Sequence, residues 1–382
     1  RHYSTVGRTG FGTVFNDYGS THIRIYDTKQ LIEAGPLELL AYKNLNGKYQ
    51  SARSIGPNAH IVTTSWLNNY DYLESKLDRD QDEFWHMDDE DYFVAAEKKA
   101  VWLIMLYTRQ IMKELEMNNN CKNMARIALL QDGLSFDIDL TRDTYSNGIL
   151  RYMTEVSSFD MSANFESMDI TTVTSGIFLP TAKMRIYSSL KMLIVAGEGK
   201  RVLEEEDGIE KKTFLIGFRL DGPSSTPAAI GNVPGTIINS YAIDHYGDYI
   251  RIATTSVIQE DYWDERTVNN RLLILSLPEN NMTSGNFFME EVGRLEGLGR
   301  EGELIKSVRF MEKMAFLVTF RQIDPFYTIN LTDPMNPEVI GELEVSGFSS
   351  YLRPINDDQS QVLAVGQEAD PETGRLAGLQ IS

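Results

Sequence analysis

Three groups of residues in this 382-residue chain have the types and spacing to do chemistry. Asp78-x-Asp80-x-Asp82, with Asp89 after it, has the ligand spacing of a calcium loop of about 12 residues, with alternation turning three carboxylates toward one ion. Two departures weaken it: Glu83 stands where the sharp turn wants glycine, and Asp89 is shorter than a bidentate glutamate. A solvated acidic loop accounts for the same residues. Gly297-Leu-Gly299-Arg-Glu-Gly302 matches the dinucleotide pattern G-x-G-x-x-G. That chemistry needs a helix N-terminus after the glycines. Leu304–Phe310 and Met314–Phe320 read instead as two strands, so a turn between strands is the better reading. His60 and His86 are isolated histidines that would serve as ligand or base only with partners the sequence does not supply. Trp263 sits in the acidic loop Gln259-Glu-Asp-Tyr-Trp-Asp-Glu, an aromatic suited to a protein or glycan partner. No G-x-S-x-G nucleophile elbow occurs, and Gly199-Lys200 lacks the upstream glycine of a P-loop.

The bulk composition excludes several classes. Asp and Glu number 55 against 36 Lys and Arg, a net charge of −19. A phosphate-backbone binder needs a basic stripe, so no nucleic-acid partner is expected. Cys121 is alone, which excludes an internal disulfide and any cysteine-based zinc or iron–sulfur centre. The apolar run Ala100–Tyr107 is far shorter than the roughly 20 residues that span a hydrocarbon core, so no membrane span is expected. The chain opens on Arg1-His2-Tyr3, where no signal peptide is visible, and such a start also reads as a processed or truncated end. Two glycosylation sequons, at Asn281 and Asn330, tilt the reading slightly toward secretion.

The elements that would position these residues come as a repeat. A strand, a polar turn and a β-branched strand recur at Tyr49–Ile55 with His60–Thr64, Ile237–Ile243 with Tyr249–Thr255, Ile305–Phe310 with Met314–Phe320, and Phe348–Arg353 with Gln361–Gly366. A weaker copy is Met184–Tyr187 with Leu190–Gly197. Gly235, Gly299 and Gly347 close the strand that precedes three of these hairpins, 64 and 48 residues apart. Third strands come at His22–Tyr26, Thr213–Phe218, Arg271–Leu275 and Phe326–Asn330. Four short strands in about 40–50 residues make one propeller blade, which buries its faces only against neighbouring blades. Between Thr64 and Gly197 the period breaks. Asp71–Asp91 carries ten carboxylates against Lys76 and Arg79. Tyr92–Met117 then places apolar residues at helical spacing and is stopped by Asn118-Asn119-Asn120.

Val233–Asp244, Tyr249–Thr255, Gly293–Leu298, Val308-Arg-Phe-Met311, Leu317–Pro325, Ile329–Pro334 and Gly347–Pro354 carry a family likeness. Over about Asn232 to Gly366 the chain resembles the secreted proteins with a C-terminal β-propeller distantly related to WD-40 repeats. His245, where an acidic residue is expected, and Arg353, where histidine is expected, depart from that pattern. The resemblance implies a propeller, often extracytoplasmic, with no chemistry to carry over. It implies that Arg321, Gln322, Asp324 and Asp333-Pro334 build turns and inter-blade bonds, a ligand site being the alternative.

The expectation is an all-β propeller, about six blades' worth here and seven when complete, with a helical insertion. Residues 1–70 and 145–382 hold the blades, 71–144 is the insertion, and the chain reads as a fragment. The leading function is a non-enzymatic binding or scaffold module, extracellular or on the cell surface, contacting protein or glycan through loops and central channel. Arg321, Asp324, Asp244 and Trp263 are its candidate binding residues. A carboxylate-based hydrolase or lyase at the channel mouth is one alternative. A calcium-stabilised domain, through Asp78, Asp80, Asp82 and Asp89, is the other. No cofactor is expected apart from that calcium.

Overall fold

The computed structural model describes residues 19–27, 38–66, 86–88, 152–165, 168–179, 183–202, 209–258, 267–278, 287–320, 324–345, 347–356, 361–369 and 376–382, with single positions between 91 and 103. Six sheets lie within them. The first pairs β1 (Ser20–Asp27) with β2 (Glu38–Asn46). The second runs β3 (Lys48–Ile55), β4 (Asn58–Trp66), β5 (Tyr152–Asp160) and β6 (Val173–Leu179). The third holds β7 (Met184–Ser188), β8 (Met192–Val202), β9 (Ile209–Asp221) and β10 (Ser224–Pro234). After a 3-10 turn at Ser240–Ala242 come β11 (Ile243–Tyr246), β12 (Tyr249–Ile258), β13 (Thr267–Ser276) and β14 (Glu290–Leu295). The fifth sheet is β15 (Leu304–Met311), β16 (Met314–Phe320), β17 (Asp324–Asn330) and β18 (Glu338–Val345). The last is β19 (Phe348–Pro354), β20 (Val362–Ala369) and β21 (Leu376–Ile381). Strands adjacent in sequence are adjacent in every sheet, through short connections in most cases and across residues 67–151 between β4 and β5.

Two compact units divide the chain: Arg1–Ala182 with Phe218–Ala228, and Lys183–Gly217 with Ala229–Ser382. In the first, Ala41 and Leu45 of β2 pack with Ala59, Ile61, Phe159 and Ile170. In the second, Met311, Phe316, Val318, Leu352 and Ala364 join the β15 and β19 sheets. The middle strands β5, β13 and β16 are buried on both faces, which explains the apolar runs Leu272–Leu275 of β13 and Ala315–Val318 of β16. The fourth strand β18 is different: Val339, Ile340 and Leu343 are exposed on it.

Four of the sheets begin after a glycine in the left-handed region. Gly47, Gly235, Gly299 and Gly347 have φ of 85, 84, 89 and 85°. At Gly47 and Gly235 a Cβ would sit 2.8 Å from the carbonyl carbon and oxygen of Thr64 and Thr255, at corresponding places on β4 and β12. At Gly347 it would meet the Gln367 carbonyl oxygen on β20. Positive φ and a backbone wall at the Cα both demand glycine.

One expected strand is broken. Ile237–Ile243 pairs with the second strand at Thr236, against Thr255, and again from Ile243. Between them Asn239 caps the 3-10 turn, its side chain accepting the Tyr241 amide at 2.9 Å. An asparagine able to bond the backbone two residues on favours this turn over extension. In the segment read as an insertion, the described positions Asp91, Tyr92, Val94, Ala95, Lys99, Trp102 and Leu103 are helical. Asp88 caps this helix, its carboxylate accepting the Asp91 amide and its carbonyl accepting the Tyr92 amide, both at 2.9 Å. The rest of the expected helix lies outside the described residues.

β5 also carries Glu155, 6% exposed, between Thr63 on β4 and Gly176 on β6. Burial pushes its carboxyl up to about 7. The unfolded group loses its proton near 4.5 and the folded one near 7, so stability is highest below the lower value and falls as pH rises through the window. At about 1.4 kcal/mol per pKa unit the fall is about 3–4 kcal/mol. Glu155→Gln is expected to abolish this slope in urea unfolding and to be the more stable protein above the window. At the sheet junctions, Gly235→Ala is expected to cost more than about 2 kcal/mol, strain and clash together. Gly247→Ala, at φ 60° with open space around the Cα, should cost only about 1 kcal/mol by the same measurement.

Candidate functional site

In the second unit the first strands of successive sheets lie against one another: the 3-10 turn contacts β7 and β15, and β15 contacts β19. Side chains near the ends of these strands therefore meet although they are far apart in sequence. Asp244 on β11 stands opposite Arg251 on β12. Arg251 is 3% exposed and donates from Nε to Asp244 Oδ2 at 2.8 Å and from Nη2 to the same oxygen. Its Nη1 donates to the carbonyl oxygen of Glu312, in the β15–β16 turn of the next sheet. The guanidinium stacks on Tyr246 at 4.7 Å and on Phe310 at 5.3 Å.

The other oxygen of Asp244 accepts the Tyr187 hydroxyl from β7 at 3.2 Å. Burial, then the Asp244 charge, pushes that phenol up to about 12, so it stays a donor. The Tyr187 oxygen accepts the His245 amide at 3.2 Å. Ser189 Oγ lies 2.9 Å from His245 Nδ1, and burial holds the imidazole below its ordinary value, hence neutral. Ser189 also accepts the amides of Lys191 and Met192, at 3.2 and 3.0 Å. A hydroxyl engaged by two amides, beside a histidine whose neighbouring aspartate is committed to Arg251, closes a turn and is not an activated nucleophile.

Beside this buried pair lies an exposed surface of a different kind. The Arg309 guanidinium stacks over the Tyr241 ring at 5.3 Å, and its Nε is buried without a hydrogen-bond partner among the described residues. Tyr241 and Tyr351 meet edge to face at 5.9 Å and 73°. They remain 45% and 36% exposed. Arg353 is exposed on the same face of β19 as Tyr351. On β7, Arg185 reaches only carbonyls, those of Ile238 and Met184, each at 3.4 Å. Among the described residues no carboxylate pairs with Arg185, Arg309 or Arg353.

The chain belongs to the beta propeller domain family, whose model matches residues 2–382. An uncharacterised protein of Archaeoglobus fulgidus is 40% identical to the propeller over 158 residues, 41% of this chain and 22% of that protein. One of Methanocaldococcus jannaschii is 36% identical over 140 residues, 37% of this chain and 20% of that protein. The propeller thus aligns with about a fifth of the length of these relatives. Among solved structures, a variant of the Synechocystis apocarotenoid oxygenase is similar over 60% of this chain and 52% of its own, at 9% identity and a TM-score of 0.32. The periplasmic gluconolactonase of Pseudomonas aeruginosa is similar over 60% and 91%, at 9% identity and 0.21.

Of the residues expected to bind, Asp244 is the one whose side chain is described, and it forms an internal ion pair. Arg321 and Trp263 lie outside the described residues, as do Asp78, Asp80, Asp82 and Asp89 of the expected calcium loop. Asp324 is placed by its backbone, opposite Val345 at the start of β17. Asp333 builds a turn as expected, accepting the Met335 amide at 2.9 Å and the Asn336 side chain at 2.8 Å. The glycine-rich stretch leads into β15 and no helix, and its Arg300 amide is taken by Glu303 Oε2 at 2.8 Å. His60 is buried on β4 and bonds Ser158 at 2.9 Å.

Sequence reasoning missed Arg309 and its tyrosines. The signal was there: Ser-Ala-Arg53, Ser-Val-Arg309 and Tyr-Leu-Arg353 end three copies of the repeat, with Asp244 at the matching place in a fourth. Asp244→Ala would strand a buried guanidinium. We expect a loss of about 3–5 kcal/mol in urea unfolding, with Asp244→Asn losing less because it keeps the acceptor oxygen.

Proposed function

We propose that this propeller is a non-enzymatic binding module, working outside the cell or on its surface, that receives an anionic partner on the Tyr241–Arg309–Tyr351 face. The observation that carries the reading is Arg309: a half-buried arginine with no acid bonded to it among the described residues, in a chain of net charge −19. Buried charge is normally paired, and a strongly acidic protein has carboxylates to spare. Arg309 and Arg353, beside two exposed tyrosines and without acids among the described residues, keep guanidinium donors for an incoming group. Arginine and aromatic side chains are enriched where proteins bind partners. On this reading the chain holds about six blades of a propeller that has seven when complete, and 71–144 is a helical insertion in an early blade.

Binding of the immobilised chain to poly-L-glutamate, polygalacturonate and dextran sulfate, at low and at high salt, tests the reading. At least one polyanion should bind, more weakly at high salt. Arg309→Ala with Arg353→Ala should weaken it about tenfold or more, the loss of one good charge-assisted contact. Failure of all three to bind, or equal binding by the double variant, would overturn the proposal.

A further inference from the structure

Building on the binding-module reading, we infer that the anionic partner is a carboxylated oligosaccharide, a chain of uronic-acid-type sugars. Two kinds of chemistry alternate on this face. Tyr241 and Tyr351 offer apolar ring surface, 45% and 36% exposed, with centroids 5.9 Å apart. Arg309 over Tyr241 and Arg353 two residues beyond Tyr351 offer guanidinium groups with no carboxylate partner among the described residues, while Arg185 beside the 3-10 turn spends Nε and Nη1 on carbonyls. A guanidinium matches a carboxylate with two parallel bonds, and the C–H face of a sugar ring packs on a tyrosine while the phenol tip stays wet. A uronic acid presents both groups on every residue. An acidic peptide supplies the carboxylates but no flat apolar ring for the tyrosines to cover. A neutral glycan supplies the rings but leaves the arginines unsatisfied.

The geometry also rigidifies the receiving groups. Asn239 holds the turn that projects Tyr241, and the Tyr241–Tyr351 contact ties the turn to β19. Fewer rotamers are then lost when the ligand arrives.

Calorimetric titration of the folded chain compares oligogalacturonate, dextran sulfate oligomers, neutral dextran oligomers and poly-L-glutamate. Oligogalacturonate should bind at least tenfold more tightly than the other three. Tyr351→Ala should weaken it about tenfold, and Tyr351→Phe should restore it, since the ring carries the contact. Tyr351 and Arg353 are exposed, so their variants keep the fold, which an unchanged thermal midpoint verifies. Preferential binding of dextran sulfate oligomers would replace the carboxylate by sulfate and overturn the inference. Arginine-dependent binding of poly-L-glutamate as tight as that of oligogalacturonate, or full affinity in Tyr351→Ala, would overturn it while leaving the binding-module reading standing. No binding of any polyanion would overturn both.

Discussion

The whole arrangement depends on how the backbone passes from the last strand of one sheet to the first strand of the next. At Gly47, Gly235, Gly299 and Gly347 the chain takes a left-handed conformation within a few degrees of one value. The bare Cα at Gly47, Gly235 and Gly347 lies against the second strand of the sheet the chain is about to join. The junction is then locked by a side chain from a strand of the sheet it leaves. Thr21 on β1 donates to the Gly47 carbonyl at 2.9 Å, and Thr213 on β9 donates to the Gly235 carbonyl at 2.8 Å. Asn270 on β13 donates to the Leu298 carbonyl, one residue before Gly299, at 2.8 Å. The repeat is therefore a repeat of a backbone solution, with threonine or asparagine free to supply the donor.

A sheet seam built this way buries polar groups, and these need partners. Glu303, 3% exposed, accepts the Thr319 hydroxyl at 2.7 Å and the Arg300 amide. Asn270 uses both ends of its amide: Thr255 donates to its oxygen at 2.7 Å, and its nitrogen also reaches the Glu303 carbonyl at 2.8 Å. Gly293 on β14 lies so close to the Pro334 carbonyl that no Cβ fits, which brings the Asp333 turn against the preceding sheet. The Arg251–Asp244 pair plays the same part near the hairpin turns, touching β7 through Tyr187 and the β15–β16 turn through Glu312. Such fully bonded networks define which sheet sits beside which more sharply than apolar packing alone.

Much of this was legible in the residues. The strand pairs of the repeat, the role of Gly235, Gly299 and Gly347, and the Asp333 turn come from period-two patterning and turn chemistry, both of which act locally. The interrupted strand at Ser240–Ala242 was not legible, because Ile237–Ile243 carries the apolar content of a strand and only Asn239 argues against it. The candidate site was largely hidden for a different reason. Asp244 stood out as an acid in a strand, but its partners Tyr187 and Arg251 belong to two sheets, and the Glu312 carbonyl that Arg251 also reaches belongs to a third. The Arg309–Tyr241–Tyr351 contact likewise joins residues up to 110 positions apart, which no window of sequence brings together.

Placing the copies side by side explains why one position holds both a structural pair and a binding surface. The third residue from the end of the first strand is Arg53 on β3, Asp244 on β11 and Arg309 on β15, each opposite the third residue of the second strand: His60, Arg251 and Phe316. Where the second strand supplies an arginine, the first-strand partner is its acid, and the charge is spent internally. Where the second strand supplies Phe316, the first-strand arginine meets no acid among the described residues, and its guanidinium lies on Tyr241. The difference between a sheet that is stapled and a sheet that can receive a ligand thus comes down to which of two facing positions carries the positive charge.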